Sequence, residues 1–420
     1  MSAHPWRRAA VGALAAVVAA LLAPSTAAPT AASAALASGS TQPLASCAQP
    51  AVNHVSCLNR FRSGAAARVA GVPRSAALAE GHVHPAADAV ALPTAGYGPP
   101  DIADIYGLDT SGGAGSTVAV VAAFDNPNVE ADLATFRAAW GLPACTSDDG
   151  CFRKVSQRGD DVLPEAQPSW GVEIDIDVQA VSSSCPRCRV LLVEADSSAI
   201  EDIDAAENQA VALGARIVSN SFGGYRFDSI PYAHLRAFSH WGVATVAASG
   251  DGGYSTAEFP ASWYQVIAVG GTSVTRTDSG WAQQAWRGSG SGCSTWVLKP
   301  FWQTDPGCSH RSVVDLAALA DPDRGLAIWD SYGMEGFGLA PGWLVVGGTS
   351  LATPLVAGMI GLAGHPWRLS TPGYLYGHRS SLIDIVGGST GTCDPAYLCN
   401  GVVGYDGPTG LGTPYGLGAL

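Results

Sequence analysis

Strand-length apolar runs, set between helical segments and closing on polar turns, limit what this chain can fold into. The runs are STVAVVAAF (116–124), RVLLVEA (189–195), RIVSNSFGG (216–224), GVATVAASGDGG (242–253) and YQVIAVGGT (264–272). Strands buried on both faces read as continuous apolar stretches rather than alternating ones. Between them lie EADLATFRAAWG (130–141), which closes on Gly141, and AIEDIDAAENQAVALGA (199–215), which closes at Gly214. Both have helical spacing and a glycine stop. Buried strands alternating with helices predict an α/β fold on a mainly parallel central sheet. In such sheets ligands sit beyond the carboxyl ends of the strands. The turns FDNPN, SNSFGG and SGDGG fall there.

Composition sets the outer limits. The 420 residues are 47% hydrophobic and only 14% charged, with 51 Gly and 27 Pro. That excludes a disordered chain and describes a loop-rich globular one. The net charge is -13 and no basic stripe exists, which argues against a nucleic-acid partner. At the N-terminus His4, Arg7 and Arg8 precede an apolar stretch from Ala9 to about Ala23 and several A-x-A-like sites. This predicts a secretory signal over 1–34; the apolar stretch is short of the roughly 20 residues a membrane span needs. Residues 35–98 read as a short pro-segment or leader closing at GYGPP, followed by one domain over 99–420. The ten cysteines fall in order into five close pairs: 47/57, 145/151, 185/188, 293/308 and 393/399. Local pairs after a signal predict small disulfide loops. CPRC at 185–188 could instead be a redox or zinc motif, but no second C-x-x-C exists.

VGGTS occurs twice, at Val269–Ser273 and Val346–Ser350. The first runs into β-branched and charged residues and reads as strand and turn, so Ser273 is structural. The second runs into LATPLVAGMIGLAG, a small, apolar helix with Pro354 in a predicted first turn. A serine at a helix start lies beside spare N–H groups suited to an oxyanion; the plain alternative is an N-cap serine. A nucleophilic serine needs a base. None of the nine histidines (4, 54, 82, 84, 234, 240, 310, 365, 378) lies in the His-Gly-Thr context of a subtilisin-like triad. SWGVEIDIDVQAVSSSCP offers carboxylates instead. In a helix Glu173 and Asp177 share one face and Asp175 does not; in a strand, which the alternation of VEIDIDV also allows, all three share one face. Two like charges beside apolar residues raise one pKa, as a general base requires. Asp251, in SGDGG, is either a turn former or a protonated carboxyl able to donate to an oxyanion.

Together these segments resemble the sedolisin family of serine-carboxyl peptidases. The family's E-x-x-x-D looks like EIDID, its S-G-D-x-G like SGDGG, and its G-T-S-x-x-x-P like GTSLATP. YGLDTSGGAGSTVAVV, SNSFGG, FPASWYQVIAVGGT and VVDLAALADPDRG match as connecting segments. The resemblance implies a subtilisin-like three-layer fold with helices on both faces of the sheet. It also implies a catalytic set with Ser350 as nucleophile, Glu173 as base, Asp177 orienting the base and Asp251 as oxyanion acid. IDIVGGSTG and VVGYDGPTGLGTP resemble the family's C-terminal calcium site. The implied ligands are the side chains of Asp384 and Asp406 and the carbonyls of Ile385, Val402 and Gly404, which suit a hard cation. Val402 stands where the family usually has Gly, so a positive φ there would be strained. The long folded pro-domain usual in the family is shortened here to at most about 70 residues. The resulting expectation is a secreted, monomeric, calcium-binding peptidase acting on proteins or peptides at acidic pH. The alternatives are an inactive peptidase-like binding module and a Ser-His-Asp peptidase using Asp125.

Overall fold

A computed structural model describes residues 43–61, 71–72, 90–224, 232–255, 257–337 and 340–420. The expected signal (1–34) and most of the expected leader, with His4, His82 and His84, lie outside them. The strands used below are β1 (Ser56–Cys57), β2 (Arg60–Phe61), β3 (Thr117–Ala123), β4 (Phe152–Ser156), β5 (Arg189–Ala195), β6 (Ile217–Asn220), β7 (Phe222–Gly223), β8 (Ala244–Ala248), β9 (Ile267–Thr277), β10 (Gly280–Ala285), β11 (Leu316–Leu319), β12 (Leu326–Asp330) and β13 (Gly342–Gly347). The helices are α1 (Pro99–Tyr106), α2 (Val129–Trp140), α3 (Pro168–Ser184), α4 (Ile200–Ala212) and α5 (Thr349–Ala363).

The central sheet has eight strands in the order β10-β9-β8-β6-β3-β5-β4, with β11 also beside β9. Every pairing in it is parallel except the β9–β10 hairpin. The α/β sheet expected from the apolar runs is therefore present: β3, β5, β6, β8 and β9 are built from those runs, and their side chains are almost all fully buried. α3 and α5 pack against each other and on the sheet, while α4 packs on β3, β5 and β6. After β3 the chain feeds strands on both sides of it, so Asp125, Ser221 and Asp251, all just past strand ends, collect along one edge of the sheet.

The alternation in VEIDIDV does not produce a strand. α3 opens with Pro168 at its first position and is buried from Trp170 to Ser184. A helix enclosed on all sides has no polar face, so its sequence cannot carry the usual 3.6-residue signature. All five expected cysteine pairs are disulfides: 47–57, 145–151, 185–188, 293–308 and 393–399. The CPRC pair closes the C-terminal end of α3, where Cys185 is the capping residue. Among the described residues no helix is long and apolar enough to cross a membrane.

The stretch read as leader is not peripheral. β1 pairs antiparallel with β7, and β2 adds an edge to the β12–β13 hairpin. Phe61 is 2% exposed and belongs to the main core. Residues 43–61 are thus built into the fold.

Candidate active site

Ser350 is the second residue of α5, not the residue before it, and Pro354 is the sixth, beyond the first turn. That shift has a local consequence. Proline has no N–H, so the Ser350 carbonyl lacks its helical donor. The Ser221 hydroxyl donates to it instead, at 3.2 Å. The helix is preceded by Gly348 at φ 92°, which favours glycine. A Cβ there would also come within 2.4 Å of the Leu58 carbonyl oxygen and 2.9 Å of Asp251 Oδ2. In the first turn of α5 the Thr349 N–H is held by Asp251 Oδ1, and the Ser350 N–H faces a carbonyl outside the helix. The Ser350 N–H donates to the Leu58 carbonyl at 2.9 Å.

The two twin motifs separate as expected. Ser273 lies in β9 and donates its hydroxyl to Asp321 Oδ2 at 2.6 Å. Ser350 donates its hydroxyl to the Ser221 carbonyl at 2.9 Å and accepts from the Leu58 N–H at 3.0 Å.

α3 carries the carboxylates, and the helix splits them. Glu173 and Asp177 face α5, whereas Asp175 accepts from the Asn126 amide at 2.8 Å and lies by Asp132 and Asp330. Glu173 Oε2 accepts from the Asn59 amide at 2.6 Å. The Ser221 hydroxyl proton is shared between Asp177 Oδ1, the nearer acceptor, and the Ser350 carbonyl. Their other oxygens, Glu173 Oε1 and Asp177 Oδ2, are buried without a partner. Burial pushes both pKa values up, and for Glu173 the charge of Asp177 adds to it, while Ser350 and Asn59 act the other way. Two ionised carboxyls one turn apart in a dry site would repel, so the pair retains a proton and titrates as a unit.

Asp251 stands across the site. Its Oδ1 accepts from the Thr349 N–H at 2.8 Å and the Thr349 hydroxyl at 3.0 Å. Its Oδ2 has no hydrogen bond and lies 3.5 Å from Arg60 Nε. Burial raises its pKa; Arg60 and the Thr349 donors oppose the rise. Ser350, Glu173, Asp177 and Asp251 thus converge, linked through Ser221 and Thr349. Among the described histidines none hydrogen-bonds Ser350. Asp125 instead binds Lys154 Nζ at 2.5 Å.

Sequence reasoning missed three parts of this site. Ser221 sat in a noted turn without a role. Glu258 lines the cleft beside Asp251, and burial raises its pKa to about 8. The third part is the segment Leu58–Arg60, whose signal was available: a disulfide at Cys47–Cys57 implies ordered structure inside a supposed leader.

The C-terminal loops hold the residues expected to bind calcium. Asp406 Oδ1 accepts from the N–H and hydroxyl of Thr409, both at 2.8 Å, and its Oδ2 from the Val402 N–H at 3.0 Å. Asp384 Oδ2 accepts from the Gly404 N–H at 2.8 Å. Burial, with the Asp384 charge adding, raises the Asp406 pKa to about 7. The strain expected at Val402 is absent, because the positive φ, 90°, falls on Gly404. The Asp384 carboxylate lies near enough for its charge to act on Asp406, and carboxylate oxygens are donors that suit a hard cation. Among the described residues, three or more His, Cys, Asp or Glu side chains nowhere gather in a metal-holding group.

The subtilase family model matches residues 169–372. Kumamolisin from Bacillus sp. (strain MN-32) is 29% identical over 377 residues, covering 79% of this chain and 64% of its own. Sedolisin from Pseudomonas sp. (strain 101) is 27% identical over 319 residues, covering 65% of this chain and 51% of its own. The chain therefore spans less than two thirds of the length of these curated relatives. A solved structure of Pseudomonas sedolisin, a serine-carboxyl proteinase, superposes with a TM-score of 0.64 at 25% identity, over 76% of this chain and 95% of that one.

Proposed function

The chain belongs to the sedolisin family, and from that premise we propose that it is a secreted serine-carboxyl peptidase hydrolysing peptide bonds of proteins or peptides at acidic pH. One observation carries the reading: a peptide carbonyl, that of Leu58, sits on the Ser350 N–H with the Ser350 hydroxyl, Glu173 and Asp251 around it. Ser350 attacks the carbonyl carbon, Glu173 takes its proton, Asp177 holds Glu173, and Asp251, protonated at Oδ2, donates to the oxyanion. The test is casein hydrolysis at pH 3–5 by the purified chain and by Ser350→Ala. Equal activity in the two would favour a peptide-binding module without chemistry.

The pH dependence rests on the same groups. The Glu173–Asp177 pair must lose a proton, and Asp251 must keep one. Activity is therefore a bell, rising with ionisation of the pair and falling as Asp251 deprotonates. Asp251→Ala is expected to lower kcat about 10²–10³-fold, the usual cost of one oxyanion donor. Asp251→Asn keeps a donor that does not titrate, so it should retain more activity and extend the bell toward neutral pH. Rate profiles of the two variants against the parent check this. An unchanged alkaline limb in Asp251→Asn would remove Asp251 from the mechanism.

We also propose one structural Ca2+, held by the Asp384 and Asp406 carboxylates and the carbonyls of Ile385, Val402 and Gly404. The Asp406 pKa of about 7 supports this reading, since a cation would offset both the burial and the Asp384 charge. Its ligands must be ionised, so binding should weaken below that pH. Adding a chelator at pH 7 is expected to lower Tm by several degrees, with calcium restoring it. At 100-fold excess over Kd a ligand contributes about 2.7 kcal/mol. A Tm indifferent to chelator and calcium alike would count against the site.

A further inference from the structure

The chain's own residues 56–59 lie in the cleft as a substrate would. Ser56 and Cys57 pair antiparallel with Gly223 and Phe222, adding a strand to the cleft edge. The Leu58 N–H is shared between Ser350 Oγ at 3.0 Å and the Ser221 carbonyl at 3.2 Å, and its carbonyl accepts from the Ser350 N–H at 2.9 Å. Its side chain reaches the bare Cα of Gly223 beside Glu258, where an added Cβ would meet Leu58 Cδ1 at 3.0 Å and Glu258 Oε2 at 2.3 Å. The next residue, Asn59, is the one that binds Glu173. The bond set against the nucleophile is thus Leu58–Asn59.

We propose that Leu58–Asn59 is the chain's own processing site, and that the loop closed by Cys47–Cys57 holds it there as an internal inhibitor. The inference rests on the peptidase reading above. In the cleavage step Ser350 Oγ forms an ester with the Leu58 carbonyl carbon while its proton passes to Glu173. The C–N bond breaks and Asn59 nitrogen takes that proton. One water then hydrolyses the ester, leaving a carboxylate on Leu58, an amine on Asn59 and Ser350 restored.

Three features keep this bond from behaving as an ordinary substrate. Both sides of it are tied to each other. Leu44 and Phe61 exchange two backbone hydrogen bonds of 2.9 Å, and the Asn59 side chain joins the Ser46 N–H at 3.0 Å and hydroxyl at 2.8 Å. Leu44 and Ser46 belong to the acyl side, and the disulfide ties that side to Cys57, next to the reacting carbonyl. Cut ends held in place re-form their bond, because their effective concentration is very high. Second, Asn59 occupies one oxygen of Glu173, and the Ser350 hydroxyl, though close enough to Glu173 to lower its pKa, is shared with the Ser221 carbonyl. Third, Arg60 faces the Asp251 oxygen that must carry a proton. The same segment accounts for the burial of Ser350, which has no exposed surface.

Opening the loop should turn inhibitor into substrate. In Cys47→Ser/Cys57→Ser, held at pH 4, mass spectrometry is expected to find a chain beginning at Asn59, formed at least tenfold faster than in the parent. Casein hydrolysis should rise with it. Adding Ser350→Ala to that background should leave the chain whole. A second measurement does not depend on how that variant folds. A synthetic peptide of residues 43–58 closed by its disulfide should inhibit casein hydrolysis by any active form. Its Cys→Ser linear counterpart should inhibit at least tenfold more weakly. Ser350-dependent casein hydrolysis with Leu58–Asn59 intact and no inhibition by the closed peptide overturns this inference alone. Absence of Ser350-dependent hydrolysis of both casein and Leu58–Asn59 overturns the peptidase reading with it.

Discussion

Removing the Ser350 hydroxyl is expected to lower kcat for peptide hydrolysis about 10⁴–10⁶-fold, and Glu173→Gln should come close to it. The two should not add. Glu173 acts on the substrate only through the Ser350 proton, so a double variant should be no slower than the worse single one. KM should move little, because the cleft edge at Phe222–Gly223 and the Ser350 N–H remain in both. Steady-state kinetics on a casein-derived peptide at pH 4 provide the check, with the loop opened so that access does not limit the rate. A Glu173→Gln variant retaining a tenth of the parent kcat would remove Glu173 from the role of base. Glutamine keeps the shape and the contact with Asn59 but cannot take a proton, so the comparison isolates proton transfer from packing.

The second large effect concerns stability. Glu194 and Glu258 have pKa values raised to about 9 and about 8, chiefly by burial. A carboxyl whose folded pKa lies above its unfolded value near 4.5 keeps its proton in the fold while the unfolded chain sheds it. Linkage then makes stability fall as pH rises through that interval, with no loss below about pH 4. Each tenfold change in proton affinity is worth about 1.4 kcal/mol, so the two groups contribute several kcal/mol across pH 4.5–9. For a chain of this size that corresponds to a Tm lower by roughly 10 °C at pH 8.5 than at pH 4. Calorimetry in the two buffers tests it, and Glu194→Gln should flatten the decline. A Tm that rises with pH would contradict the sign. Greater stability in acid would be in keeping with the protonated Asp251 of the proposed mechanism.

Much of this was legible in the residues. The sheet could be read because β3, β5, β6, β8 and β9 are buried on both faces and so leave long apolar runs. Ser350 could be told from Ser273 by the residues on the C-terminal side of each: a small apolar helix in one case, a β-branched strand in the other. The carboxylates could be placed only as far as the helix reading of VEIDIDV. Burial on every side removes the polar stripe that would have decided it, and the split of Asp175 from its neighbours comes only from the tertiary contacts with Asn126, Asp132 and Asp330. Ser221 escaped notice because its role depends on the missing N–H of Pro354, more than 130 positions away. The segment around Leu58 escaped because composition speaks of a loose leader while two cysteines ten residues apart speak of a fixed loop.

The five disulfides span 3 to 15 residues, and each joins a cysteine to the next one along the chain. Closure entropy favours the shortest loops, so each thiol meets its proper partner first as the chain is oxidised. Pairing can therefore run to completion in order of emergence, with little need for an isomerase to undo wrong links. The parallel sheet, whose neighbours lie far apart in sequence, is assembled without covalent guidance. Oxidation and topology are separate problems for this chain.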